Sequence, residues 1–347
     1  MSKRRAEITG WGKYVPERVL TNAELAQMVD TNDEWIVSRT GIKERRVRSE
    51  SDNTTSMACA AATEALAVAD LKATEIDLIV VANSSPDYLL PAPANFVQHA
   101  LGATCPAFTI AAGCSGWVYA LVTANQFIET GAYNNVLVIG VELISYALDY
   151  TDRSTCILFG DAAAAVVLQP TTNGAGVISF ELGSDGGQAH HLWVPGGGTV
   201  KPVSQDVVDN REHYIRMNGQ EVFKFAVRKL SACLSNITQA AGTTVGDLDV
   251  IIPHQANLRI IETAARTLDV PMDHFFVNLH KYGNTSAASI PLALVEAIQE
   301  GRLKSGDMTG MVAFGSGLSW AGAVVKMGEA ISNPKGTPAN AAMPVVN

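Results

Sequence analysis

The sequence predicts a layered α/β protein made from two copies of one unit, with a pair of helices held between two sheets. Three observations carry that expectation. Apolar runs recur as near-copies: residues 75–81 (EIDLIVV) are echoed by 247–252 (DLDVII), and 136–140 (VLVIG) by 311–315 (MVAFG). The helical stretch between them recurs as well, Ala120–Gly131 as Ala293–Gly301, each ending on a glycine suited to a helix C-cap. The runs are also continuously apolar rather than alternating, the pattern of strands covered on both faces.

Taken in order, the chain starts basic (Met1-Ser2-Lys3-Arg4-Arg5), but no apolar signal region follows. Met57–Ala69 reads as a helix rich in small residues, suited to close packing between the two sheets. The halves join near Gln169–Gly174, giving units of 1–172 and 173–330. Leu182–Asn210, rich in Gly, His and Pro, reads as a long connection, and Gln220–Ala240 as a helix. Residues 331–347 lack periodicity and are expected to form a disordered tail.

At 347 residues and 47% hydrophobic, the chain can bury a large core. Its net charge of −9 argues against a general nucleic-acid binder. The five cysteines (59, 105, 114, 156, 233) are odd in number and mostly sit in apolar runs, so a reduced, cytoplasmic setting is expected. No stretch is long and apolar enough for a bilayer, and no Cys/His spacing suits zinc. His190 and His191 lack a third ligand, so no metal is expected. Gly315-Ser316-Gly317 lacks the third glycine of a dinucleotide loop. No cofactor is expected.

The chemistry centres on Cys114, between an apolar run and a helical pattern. There the unpaired N–H groups and positive end of a helix favour a thiolate. The segments Pro253-His254-Gln255-Ala256-Asn257 and His280–Ser286 each follow an apolar run and add a ring base and an amide donor, Asn284. Nucleophile, base and donor at strand ends suit covalent catalysis on an acyl group. Each residue also has a plainer reading: Cys114 as a small core residue, His254 as a satisfied strand-end histidine, Asn284 as a turn or cap residue. The other four cysteines read as structural.

These motifs, in this order, resemble the 3-oxoacyl-[acyl-carrier-protein] synthase III family of the thiolase superfamily. The resemblance runs from about Ile8 to Met327. It includes Asn32–Ile36, Arg39–Ile42, Phe159-Gly160-Asp161, Gly283–Ser289 and Phe314–Gly317. It implies a thiolase-like αβαβα sandwich and a decarboxylative Claisen condensation. Cys114 would take an acyl group from acyl-CoA. Malonyl-acyl carrier protein would then lose carbon dioxide and attack the acyl-cysteine, initiating fatty-acid synthesis. His254 and Asn284 would stabilise the enolate, and the N–H groups of Cys114 and Gly317 would form a second oxyanion hole.

The same resemblance places Trp35 and Arg153 around the CoA adenine, Arg39 at phosphate, and Asn257 and Gln220 along the pantetheine channel. Leu90 would stand near the end of the acyl pocket, predicting primers branched or longer than acetyl. Lys224 and Arg259 would dock the acidic carrier protein, and a homodimer is implied. Thr109, Gly113 and Ser316 depart from the family's common aspartate, alanine and glycine. An acyltransferase of secondary metabolism and a non-catalytic scaffold are the alternatives.

Overall fold

A computed structural model describes residues 3–337. The first sheet has the strand order Arg5–Tyr14, Asp161–Thr171, Val136–Leu143, Leu78–Ala82, Ala107–Ile110. Its last three strands are mutually parallel, and the first two pair antiparallel. The second sheet runs Gly176–Ser184, Ser319–Lys326, Met308–Gly315, Val250–Pro253, with the same sequence of strand directions. The turn at 172–175 separates the last strand of the first sheet from the first strand of the second.

Residue parity explains the layers. Val80, Val138 and Ala164 point inward with Ile252, Met311 and Ala323 of the other sheet, around helices Gly116–Glu129 and Ser289–Gln299. The alternate residues of the first sheet, Ile79, Ile139 and Ala165, face helix Thr54–Ala69. Those of the second, Ile251, Val312 and Val324, face helices Gly219–Ala241 and Leu258–Leu268. The result is five layers, αβαβα, in which both sheets are buried on both sides, as continuous apolar runs require.

Three expectations need correction. Thr54–Ala69 lies in an outer layer, not between the sheets. Its small residues serve close approach to the first strand: a Cβ on Gly10 or Gly12 would stand 2.2 or 2.3 Å from the carbonyls of Ala65 and Ala61. The 182–210 connection contains a 3₁₀ turn (Gly186–His191), a short strand (Leu192–Trp193) and a helix (Gln205–Asp209). Residues 331–337 are not a tail: Ile331 is 7% exposed and Gly336 donates its N–H to Val68. The rest of that expected tail, 338–347, lies outside the described residues.

Candidate active site

Cys114 sits in a 3₁₀ turn, Gly113–Ser115, between strand Ala107–Ile110 and helix Gly116–Glu129. The turn is tied to the second sheet by the Ser115–Ser319 hydroxyl pair (2.7 Å). It also touches the end of strand Met308–Gly315, where a Cβ on Gly315 would stand 2.5 Å from Cys114 N. The thiol is therefore held at the meeting of the two sheets. Burial pushes it up to about 12; the Ser286 hydroxyl opposes that shift and the Glu142 carboxylate adds to it. The expected bias toward thiolate is thus offset by desolvation, and the proton needs somewhere to go.

His254 follows strand Val250–Pro253 and is 1% exposed. Its Nδ1 meets Ser289 Oγ at 2.6 Å, and the ring packs edge-on against Phe314. Burial holds the imidazole down to about 3, so it is neutral at working pH. With Nδ1 occupied by Ser289, Nε2 is the atom left for substrate. Asn284 pairs in a bridge with Phe159, and its Oδ1 accepts from Ser286 N–H at 2.8 Å. That bond fixes the amide orientation and leaves Nδ2 to donate.

Cys114, His254 and Asn284 line one cavity of about 320 Å³. Its outer part is walled by Trp35, Arg39, Arg153, Asn257 and Arg259. Both guanidiniums stack on Trp35, at 4.7 Å for Arg39 and 5.0 Å for Arg153. A base stacking on Trp35 would displace one of them; Arg153 is additionally held at Asp30. Asn257 caps helix Leu258–Leu268 through Arg259 N–H (2.9 Å) and donates to the Arg39 carbonyl (3.1 Å). Gln220 is exposed and does not line this cavity; Met217, Gly219, Val222 and Phe223 form that wall.

A second cavity, of about 140 Å³, opens on the other side of Cys114. Ile144, Ala147, Leu192 and Ile215 supply its apolar walls, with Ser84, Ser286 and Ser316 as polar edges. Leu90 is absent from it: that side chain is 87% exposed on the loop before helix Pro93–Ala100. The pocket walls within this chain come instead from the segment after Leu143 and from the 192–215 connection. A bulky residue should therefore act from Ala147. Ala147→Phe is expected to cut the acylation rate with isobutyryl-CoA at least about tenfold and with acetyl-CoA much less. Rates with acetyl-, isobutyryl- and octanoyl-CoA check this, and an unchanged isobutyryl rate would contradict it.

The family departures have local causes. Thr109 Oγ1 accepts from Ala94 N–H (3.1 Å) and so serves the start of helix Pro93–Ala100, work a carboxylate can equally do. Gly113 and Ser316 are one coupled change. Gly113 has φ +54°, and a Cβ there would stand 2.3 Å from Ser316 Oγ. Gly113→Ala alone is expected to destabilise by about 1–3 kcal/mol. Adding Ser316→Gly should recover part of that loss, leaving the strain of an alanine at positive φ. A thermal-unfolding double-mutant cycle with no coupling would refute the pairing. Gly317, at φ +135°, follows Ser316 but lines neither cavity; Gly315 is the glycine packed on Cys114.

Glu142, Ser286 and Ser289 were missed as site residues. Glu142 carried a signal, since it is the one charge in the apolar strand Val136–Leu143. Ser286 and Ser289 stand ahead of Pro291, where the sequence alone offers them as possible starts of the following helix. All five cysteines are free thiols. Among the described residues no helix is long and apolar enough to cross a membrane, and no His/Cys/Asp/Glu cluster is arranged for a metal ion.

The fold and the buried Cys-His-Asn constellation define a thiolase-like acyl-transfer enzyme of the condensing class. A family model described as 3-oxoacyl-[acyl-carrier-protein] synthase III matches residues 108–186, and its C-terminal counterpart matches 238–327. A relative from Symbiobacterium thermophilum named beta-ketoacyl-[acyl-carrier-protein] synthase III is 49% identical over 329 residues, covering 94% of this chain and all of its own. The crystal structure of 3-oxoacyl-[acyl-carrier-protein] synthase III from Aquifex aeolicus superposes with a TM-score of 0.87 at 44% identity, covering 92% of this chain and 99% of that one. The priming beta-ketosynthase of the R1128 polyketide pathway superposes at 0.86 with 34% identity, covering 94% and 98%. The chain belongs to the beta-ketoacyl-[acyl-carrier-protein] synthase III family.

Proposed function

We propose that this enzyme condenses an acyl-CoA primer with malonyl-acyl carrier protein, releasing carbon dioxide and a 3-oxoacyl carrier protein, the first condensation of fatty-acid synthesis. The observation that carries the reading is the position of Cys114 between two cavities, with His254 and the Nδ2 of Asn284 facing the larger one. The acyl group sits in the smaller cavity. The larger one takes the pantetheine arm, first of CoA and then of the carrier protein.

In the first half-reaction Cys114 Sγ attacks the thioester carbon and CoA leaves. The N–H group of Cys114 stabilises the tetrahedral oxyanion. In the second, the malonyl thioester oxygen lies on His254 Nε2 and Asn284 Nδ2. Two neutral donors in a dry site stabilise the enolate as carbon dioxide departs, and the enolate carbon attacks acyl-Cys114. The reaction calls for no cofactor. In this assignment residues 1–172 supply the nucleophile and 173–330 supply the donors.

Trp35, Arg39 and Arg153 hold the CoA nucleotide, Asn257 flanks its arm, and the enzyme works in the cytoplasm as a homodimer. Carrier docking falls to Lys224 on helix Gly219–Ala241 and Arg259 at the start of the neighbouring Leu258–Leu268 helix. Lys224 is exposed and pairs with Glu221 at 2.8 Å; Arg259 also lines the larger cavity. Lys224→Glu is expected to raise the KM for the carrier substrate about fivefold, on the order of 1 kcal/mol, and to weaken with salt. Arg259→Glu should raise both KM values. An equal effect of Lys224→Glu on acyl-CoA would count against carrier docking there.

The polyketide relative makes a secondary-metabolic role the second reading. Product analysis with a primer panel and malonyl-acyl carrier protein tests both. A 3-oxoacyl carrier product supports condensation, and acyl transfer to another acceptor alone would overturn it.

A further inference from the structure

The mechanism above leaves a buried carboxylate that acts on Cys114 unused. Glu142 is the penultimate residue of strand Val136–Leu143 and has no exposed surface. Its Oε2 accepts from Ser85 Oγ (2.5 Å) and Ser84 N–H (3.2 Å). Its Oε1 accepts from Ser286 Oγ at 3.2 Å. Ser286 and Cys114 line the same small cavity, and the serine hydroxyl favours the Cys114 thiolate against the effect of burial. Ser286 has φ +48°, a backbone region uncommon for a residue with a side chain. Its N–H is tied to Asn284 Oδ1, so the turn that aims Asn284 also aims this hydroxyl. A charge at zero exposure in an otherwise apolar strand, and a strained serine between it and the nucleophile, are costly features to maintain.

We propose that Glu142 is a positioning residue that receives the Cys114 proton through the Ser286 hydroxyl during acylation. Cys114 S–H gives its proton to Ser286 Oγ as Ser286 O–H gives its own to Glu142 Oε1. The sulfur pair forms the new bond to the thioester carbon, and the bond from that carbon to CoA sulfur breaks. The CoA thiolate then takes up a proton as Glu142 releases one, so the net products are acyl-Cys114 and CoA thiol. His254 is spared this duty, since its Nδ1 is engaged by Ser289 and it remains the enolate donor.

The electrostatics give the test its direction. Burial pushes the Glu142 carboxyl up to about 7, against the bonds from Ser85, Ser84, Ser286 and Ala287. The titratable groups that respond to its charge are Cys114 and Tyr146, both held protonated by burial and by that charge. If Glu142 acted only as a fixed charge, Glu142→Gln would ease thiolate formation and speed acylation. As a proton acceptor it must be ionised, so wild-type acylation should fall as pH drops below about 7 and level off above it. Glu142→Gln should then slow acylation roughly a hundredfold, lose the plateau, and slow malonyl decarboxylation far less.

Ser286→Gly fits the positive φ and guards against a folding defect in the first variant. It removes the hydroxyl and should show the same loss and the same change of pH profile.

The inference rests on acyl-Cys114 forming at all. If no acyl-CoA acylates the wild-type enzyme, the proposed function fails. If the wild type is acylated and Glu142→Gln or folded Ser286→Gly matches or exceeds its rate, this inference alone is overturned. It is also overturned if His254→Ala, rather than these variants, removes the acidic limb.

Discussion

Cys114→Ser is expected to abolish acyl-enzyme formation, lowering it by roughly 10⁴-fold or more. The thiol is already difficult to ionise where it sits, held up to about 12 by burial. A serine hydroxyl in the same place is far less acidic and less nucleophilic. The substitution keeps the shape of the Gly113–Ser115 turn and its tie to Ser319, so stability should change by less than about 1 kcal/mol. Intact-mass spectra after incubation with acyl-CoA provide the measurement. A stable adduct of the same stoichiometry in the serine variant would place the nucleophile elsewhere.

The second large effect concerns decarboxylation. Asn284→Asp keeps an oxygen for the Ser286 N–H but replaces the Nδ2 donor with an acceptor that bears charge. His254→Ala removes the other donor. Each is expected to lower decarboxylation of malonyl-acyl carrier protein by roughly 10²–10³, about 3–4 kcal/mol of barrier. Acylation of Cys114 should suffer much less. Burial holds His254 down to about 3, so its protonation should add no limb to the decarboxylation profile between pH 5 and 8. Only as pH falls toward 3 does the imidazole gain its proton. Release of labelled carbon dioxide across that range is the readout. A limb near the ordinary histidine range that vanishes in His254→Ala would show a charged, titrating imidazole instead.

Much of this was legible in the sequence because the chemistry sits where patterns end. Cys114 and His254 follow strands, and strand ends are where a layered α/β fold gathers its loops, whereas Asn284 follows the short helix Leu279–Tyr282. The repeated runs showed that the two sheets have matching strands. Composition could not place Met57–Ala69, because a small-residue helix suits either an inner layer or glycines on a strand, and Gly10 and Gly12 decide it. The 182–210 stretch hid Leu192 because its elements are too short to show a period. Leu90 and Gln220 were carried over by position along the chain, whereas lining a cavity depends on where a side chain points. The Gly113–Ser316 pairing needed the contact itself, since the residues lie in opposite halves. Glu142 was visible as an odd charge, but only Ser286 beside it gives that charge a use.

The most direct test is a single turnover. Acyl-Cys114 enzyme, prepared from acyl-CoA and freed of excess donor, is mixed with malonyl-acyl carrier protein, and carbon dioxide and protein mass are followed together. The account predicts one carbon dioxide released and one 3-oxoacyl carrier protein formed for each acyl group lost from Cys114. Loss of the acyl group to water or another acceptor without carbon dioxide, or an adduct that the malonyl carrier leaves in place, would contradict it.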